Sequence, residues 1–132
     1  MLKITDLLDF KTLSESADLE FKLALGQDGN GKLPKDFWPT YSAMANSRGG
    51  YVILGIKEKA GTFIPVGIPN PKKVVTELFD TLNNPSKVNV NLINDKNVQV
   101  VLIENKSILI IRVPAANRLQ KAIFLQNNPS WL

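Results

Sequence analysis

The alternation of apolar and polar residues along the chain predicts helices packed on a β-sheet. Residues 19–23 alternate apolar and charged side chains, as in a strand with one buried face. Residues 51–56 form a nearly continuous apolar run, which is typical of a central strand covered on both faces. Residues 37–45 carry apolar side chains at helical spacing, and Pro39 must lie in the first turn because it would break a helix interior.

The remaining elements follow from the same reasoning. A second main helix is predicted from Pro71 to the Asn83-Asn84-Pro85 sequence, and a short helix or turn is predicted within residues 4–13. The other predicted strands are 63–67, paired with the central strand after a polar turn at 57–61, then 88–93, 98–104, 107–113 and an edge strand at 121–126. The predicted fold class is therefore α/β (α+β), a mixed sheet of about five to six strands with two main helices, in the order β-α-β-β-α-β-β-β.

The length of the chain and its segment pattern predict a single domain over residues 1–132. No repeat or linker divides it. The large apolar residues Trp131 and Leu132 at the end of the chain favour an N-terminal fragment of a longer protein, whose C-terminal region would be a partner of this domain. No apolar run approaches the ~20 residues that span a bilayer, so we expect a cytoplasmic protein without a membrane partner.

Composition narrows the chemistry. The chain has no His and no Cys, which excludes disulfides, thiolate catalysis, zinc fingers and imidazole acid–base chemistry. Any metal site would have to be built from oxygen ligands, which favour Mg²⁺ or Mn²⁺. The net charge of +4 and the pI of about 9.4 are compatible with a polyanionic partner.

Two glycine-rich segments could approach a ligand closely. The segment Gly26 to Lys32 has the spacing of a phosphate-binding loop. Leu33 replaces its metal-binding hydroxyl, Pro34 removes an amide and no suitable Asp follows a strand, so a surface loop is the better interpretation and no ATP hydrolysis is expected. The second segment is the turn formed by Asn46, Gly49 and Gly50, which ends the first main helix.

Basic residues lie at the ends of several predicted elements and could share one rim of the sheet. Such a rim would bind phosphates, because each cation that displaces a counterion adds affinity. Ordinary surface lysines are the alternative interpretation, and composition does not separate the two. The candidates are Lys22, Arg48, Lys57, Lys59, Arg112, Arg118 and Lys121.

Three carboxylates form a second candidate constellation. Glu15 and Glu20 flank the start of the first strand, and Glu58 follows the central strand. If they converge, their repulsion would require a divalent metal, with Lys22 positioning a phosphate. Alternatively, all three are solvated or paired with Lys22 and Lys57. In either case Glu20 and Lys22 are expected to point together, away from the core.

Two motifs carry a resemblance to a known family. The chain contains Glu15-Ser16-x-x-Leu19-Glu20-Phe21-Lys22, and later Ala45-Asn46-x-x-Gly49-Gly50 followed by the apolar run to Ile56. Further matches are Val66-Gly67, the Asn83-Asn84-Pro85 helix end and Ile110 to Pro114 with Arg118. Over nearly its whole length the sequence closely resembles the Schlafen-type Alba-like domain.

The resemblance implies a DNA-binding domain at the start of a bacterial transcriptional regulator, without a cofactor. Some eukaryotic Schlafen relatives are RNA endonucleases with three acidic residues, and Glu15, Glu20 and Glu58 match or lie near those positions. The alternative function is therefore a divalent-metal-dependent endoribonuclease, with Glu15 and Glu20 as ligands of Mg²⁺ or Mn²⁺. Lys57 stands where relatives usually carry an acid. The expected partner is DNA or RNA, and a homo-oligomer is also possible.

Overall fold

A computed structural model describes residues 2–117 and residue 119 of the protein. Within these residues the chain forms three α-helices, a short 3₁₀ turn and six strands. In chain order these are α1 (Leu7–Ser14), β1 (Leu19–Lys22), α2 (Phe37–Ala45), β2 (Gly50–Leu54), β3 (Ile56–Lys59), β4 (Thr62–Pro65), α3 (Pro71–Leu82), the 3₁₀ turn (Asp95–Asn97), β5 (Val98–Ile103) and β6 (Lys106–Val113).

The strands form a mixed sheet of four strands and a separate hairpin. The four-stranded sheet has the order β1-β2-β6-β5, in which β1 is parallel to β2 and the other pairs are antiparallel. The hairpin consists of β3 and β4. The predicted mixed α/β fold class is confirmed. The apolar run 51–56 does contain the central strand, since β2 pairs with β1 on one side and β6 on the other.

The sheet is covered on both faces, which explains the unbroken apolar run in β2. Val52 and Leu54 belong to the large core cluster that packs against α2 and α3, whereas Ile53 belongs to a smaller cluster that includes Phe10 of α1. Successive side chains of a strand point to opposite faces, so every residue of β2 needs an apolar partner on one face or the other. Pro39 lies in the first turn of α2, as predicted.

The β3–β4 hairpin differs from the prediction. Residues 57–59 are strand rather than turn, and β4 pairs with β3 instead of with the central strand. Gly55 has φ +105°, a conformation that ends β2, and its carbonyl oxygen accepts the N–H groups of Val66 and Gly67, each at 2.8 Å. The backbone therefore turns away from the sheet at Gly55, which the apolar pattern did not reveal.

The prediction of a strand at residues 88–93 is wrong. Val88 and Ile93 are buried in the large core cluster, but this segment forms no extended strand. The Tyr41 hydroxyl donates to the carbonyl oxygen of Val90 at 2.6 Å and accepts from the N–H of Leu92 at 3.1 Å. A buried side chain thus satisfies backbone groups that a strand would have paired with a neighbour.

The predicted edge strand at 121–126 lies outside the described residues. Among the residues that the structure does describe, no helix is long and apolar enough to cross a membrane.

Candidate nucleic-acid interface

An open groove of about 450 Å³ lies at the end of the sheet where β2 begins and β6 ends. Charged residues of both signs line it, together with the two glycines Gly49 and Gly50. Three segments form it, namely residues 14–18 after α1, residues 48–51 before and at the start of β2, and residues 112–115 at the end of β6. Three charged candidates from the sequence, Glu15, Arg48 and Arg112, are among these residues, and so are the two glycines of the predicted turn.

The Gly49–Gly50 turn is what brings these segments together. Asn46 caps the C-terminus of α2, and Gly49 has φ +76° while its N–H donates to the Met44 carbonyl oxygen at 2.7 Å. A Cβ on Gly49 would lie 2.5 Å from the Val113 carbonyl oxygen, and one on Gly50 would lie 2.8 Å from the Asp18 carbonyl oxygen. No larger residue fits at either position without moving the backbone.

The two arginines of the groove are its candidate contacts for an anionic ligand. Arg48 and Arg112 are both exposed. In residues 2–117 and 119, neither guanidinium group forms an ion pair, although Glu15 and Asp18 line the same groove. Arg112 lies directly opposite Tyr51 in the register of β6 and β2. The position of Arg112 is thus fixed by two paired strands, while its charged end remains available to an anion.

The three carboxylates that the nuclease alternative requires are not gathered in one site among the described residues. Glu15 is the C-terminal cap of α1 and lines the groove. Glu20 lies on β1 and Glu58 on β3, and neither lines the groove. Within the described part of the chain, no three acidic residues lie close enough together to hold a metal ion. The side chains present therefore do not fit the divalent metal that the nuclease alternative requires.

Lys22 is buried rather than exposed, contrary to expectation. Its side chain is 7% exposed, and its Nζ lies 3.0 Å from Asp36 Oδ2 and 3.9 Å from Glu20 Oε1. Asp36 comes immediately before α2, so the ion pair ties the start of that helix to β1. Strand alternation indicated which face Lys22 occupies, but not that the chain folds back over that face. Lys22 is thus committed to a structural ion pair and is not placed to contact phosphate.

Two of the other predicted basic contacts, Lys57 and Lys59, do not lie in the groove. Both are exposed on β3, in the hairpin. Arg118 and Lys121 lie outside the described residues.

The glycine-rich loop at 26–32 forms a separate cavity of about 700 Å³, where Lys32, Lys35 and Lys73 lie with Asp28. Its backbone has no free row of donors for a phosphate, because consecutive N–H groups are already bonded within the protein. Those of Gly29, Gly31 and Lys32 donate to backbone carbonyl oxygens, at 3.4, 2.7 and 3.0 Å. Those of Asn30 and Leu33 donate to the carboxylates of Asp28 and Glu77, each at 3.0 Å. This is the geometry of a surface loop, as the sequence indicated.

Asp18 and Tyr51 are among the groove residues that sequence reasoning missed. Asp18 carried no motif of its own, and Tyr51 was counted only as part of the buried central strand. Tyr51 is half-buried and lines the groove because it lies at the start of β2, next to the glycine turn. Its place immediately after two glycines was the available signal, since a strand's first residue lies at the rim of the sheet.

Comparisons with known proteins agree with this architecture. The chain is similar to the solution NMR structure of the N-terminal domain of a protein related to the ATP-dependent DNA helicase RecG, from Nitrosomonas europaea. The two share 30% identity and a TM-score of 0.67, over 92% of this chain and 78% of that chain. The chain also resembles the crystal structure of the DIP2311 protein from Corynebacterium diphtheriae, with 21% identity and a TM-score of 0.52, over 89% of this chain and 23% of that one.

A comparison with curated proteins found no match. The family model described as Schlafen, AlbA_2 matches residues 15–129, which include the whole groove except Ser14. This match agrees with the resemblance carried by the Glu-Phe-Lys and Gly-Gly motifs. The chain therefore belongs to the Schlafen AlbA_2 family.

Proposed function

We propose that this domain binds nucleic acid, and DNA in particular, through the groove at the Gly49–Gly50 turn. The observation that carries the proposal is the pair of exposed arginines, Arg48 and Arg112, which lack an ion-pair partner within residues 2–117 and 119. Guanidinium groups bind phosphate oxygens in bidentate fashion, and they are more weakly hydrated than an ammonium group, so their desolvation costs less.

Two further observations support the proposal. The chain carries a net charge of +4, so a polyanion is attracted at long range. The similar domain from Nitrosomonas europaea comes from a protein named for its relation to a DNA helicase, which favours DNA as the partner. We extend the proposal to the role suggested by the family resemblance, in which the domain serves as the DNA-binding part of a transcriptional regulator.

The structure of the groove implies a particular mode of binding. Its exposed arginine side chains are suited to phosphates, and no helix of the described residues presents a row of polar side chains to base edges there. Binding should therefore be weak, mildly sequence-specific and strongly dependent on salt, since it depends on the release of counterions from phosphates. Glu15 and Asp18 also line the groove, and their negative charges would repel a phosphate and so favour its placement at the arginines.

The test is a charge reversal measured by fluorescence anisotropy with a labelled oligonucleotide over a range of salt concentrations. The double variant Arg48→Glu and Arg112→Glu should lower affinity by about a hundredfold for every sequence alike and reduce the salt slope by about 2. The matched control is Lys72→Glu with Lys87→Glu, which reverses two exposed charges outside the groove. Equal losses in both double variants, or no binding by the parent at low salt, would overturn the proposal.

A further inference from the structure

A second, smaller cavity of about 160 Å³ adjoins the groove on the α1 face of the sheet. Tyr51 and Arg112 line both cavities, so they form the boundary between the two. The second cavity is completed by Leu2, Lys96, Asn97, Gln99 and Ile110. The two cavities together make a path that leads from Arg48, past Tyr51 and Arg112, to Lys96.

Tyr51 is held in a manner that suits a ligand rather than the core alone. Its ring packs against the smaller core cluster, so the side chain is fixed on one side. Among the described residues, its hydroxyl makes no hydrogen bond, and its ring makes no stacked or edge-to-face contact with another aromatic ring. A partly exposed aromatic ring of this kind has a free surface and a free polar group.

The charges along the path are arranged on both sides of this ring. Arg112 lies directly across from Tyr51 on the neighbouring strand, and Arg48 is three residues before Tyr51. Lys96 is exposed at the far side, in the 3₁₀ turn. Cations that follow a backbone, with an aromatic ring between them, are the arrangement by which proteins bind single strands.

From this arrangement we infer that the preferred ligand of the groove is a single strand, one of whose bases stacks on Tyr51 while Arg48, Arg112 and Lys96 contact the flanking phosphates. In a duplex, both faces of each base are covered by its neighbours, so only an unpaired base can stack on the ring. The inference rests on the proposed function, because it assigns the ligand form of the same site.

The experiment compares single-stranded and duplex DNA of the same sequence with the full 132-residue chain at low salt, by fluorescence anisotropy. The single strand should bind at least fivefold more tightly than the duplex. Tyr51→Leu should lower affinity for the single strand by about tenfold, the loss of one stacked base, and affinity for the duplex by less than about twofold. Tyr51→Phe should retain the affinity of the parent, since the ring remains.

Two controls keep the test independent of folding. Phe63→Leu removes another half-buried aromatic ring, in the hairpin outside the path, and should leave binding unchanged. A single strand with abasic sites needs no variant at all. The parent should bind it about tenfold more weakly than the intact strand, and this difference decides the question if Tyr51→Leu fails to fold.

The outcomes separate the two proposals. If duplex and single strand bind equally, if Tyr51→Leu weakens both alike or if the abasic strand binds as well as the intact one, the inference is wrong. The proposed function would still stand in each case, provided that reversing Arg48 and Arg112 weakens binding. Absence of binding to either form of DNA would overturn both.

Discussion

The two glycine-rich segments, the turn at Gly49–Gly50 and the loop at 26–32, differ in how closely the rest of the protein packs around them. Gly49 and Gly29 have the same φ of +76°. A Cβ on Gly49 would lie 2.5 Å from the carbonyl oxygen of Val113, whereas a Cβ on Gly29 would have no atom within 4 Å. The first turn joins the start of β2 to the end of β6 and forms part of a groove with two arginines that form no ion pair with any described residue. The second is an open loop in which the amides of residues 29–33 are bonded within the protein. Packing around the glycines, and not their spacing, distinguishes the proposed binding surface from a surface loop.

The largest difference between the two segments is expected when Gly49 and Gly29 are each replaced by alanine, which adds a methyl group. Gly49→Ala should lower the free energy of unfolding by about 3 kcal/mol, because the left-handed conformation and a backbone collision act together. Gly29→Ala should lower it by about 1 kcal/mol, since only the conformation is unfavourable. Urea denaturation measures both values. Equal losses would show that the Gly49 turn is no more tightly packed than the loop.

The second prediction concerns the ion pair between Lys22 and Asp36, which joins β1 to the segment between the open loop and α2. Asp36→Asn should lower the free energy of unfolding by about 1–2 kcal/mol, because the ammonium group of Lys22 stays buried with only the more distant Glu20 as a partner. Since Asp36 is itself 70% exposed, the loss should not approach that of a fully buried pair. Asp36 makes no side-chain capping bond to α2, so that effect does not contribute.

The control for this ion pair is a double-mutant cycle monitored by urea denaturation. In a Lys22→Met background, Asp36→Asn should have almost no effect on stability. DNA affinity should not change in any folded variant of the cycle. A loss of DNA affinity in a folded Lys22→Met variant would show that Lys22 takes part in DNA binding.

The next prediction compares how much DNA affinity depends on one charge in the groove and on one charge in the open loop. Arg112→Glu should lower DNA affinity by about tenfold, because it removes a phosphate contact and adds a repulsive charge. Lys32→Glu should lower it by less than about twofold, since Lys32 lies in the cavity of the open loop, away from the groove. Anisotropy titrations at one salt concentration suffice. A larger effect at Lys32 would move the interface to the loop.

The smallest effect concerns acid pH. The N–H of Asn30 donates to the Asp28 carboxylate and lowers the pKa of Asp28 below its ordinary value of 3.8. A lowered pKa in the folded state stabilises the protein above pH 3.8, and this contribution is lost as the pH falls through the folded pKa. In an NMR titration, the chemical shift of the Asn30 amide should therefore change as the pH falls below 3.8, while that of the Gly49 amide should not. Asp28→Asn should abolish the shift at Asn30.

Much of the fold could be predicted because local patterns determine it. The apolar runs and the positions of Pro39 and Pro71 gave α2, β2 and α3 close to their observed bounds. The prediction failed where backbone groups found partners that no pattern encodes. Residues 88–93 have the composition of a strand, but the hydroxyl of Tyr41, about 50 residues earlier, bonds their backbone instead.

The candidate site shows the same division between local and distant effects. Sequence alone identified the residue types: a glycine turn, arginines at the ends of strands, and membership of a family through the Glu-Phe-Lys and Gly-Gly motifs. It could not show which charges remain free. Lys22 and Arg112 are both cations at strand ends, but α2 begins beside Lys22 and supplies Asp36, whereas nothing in the described chain pairs with Arg112. Whether a charge is buried or available depends on which distant segment packs beside it, and only the tertiary structure decides that.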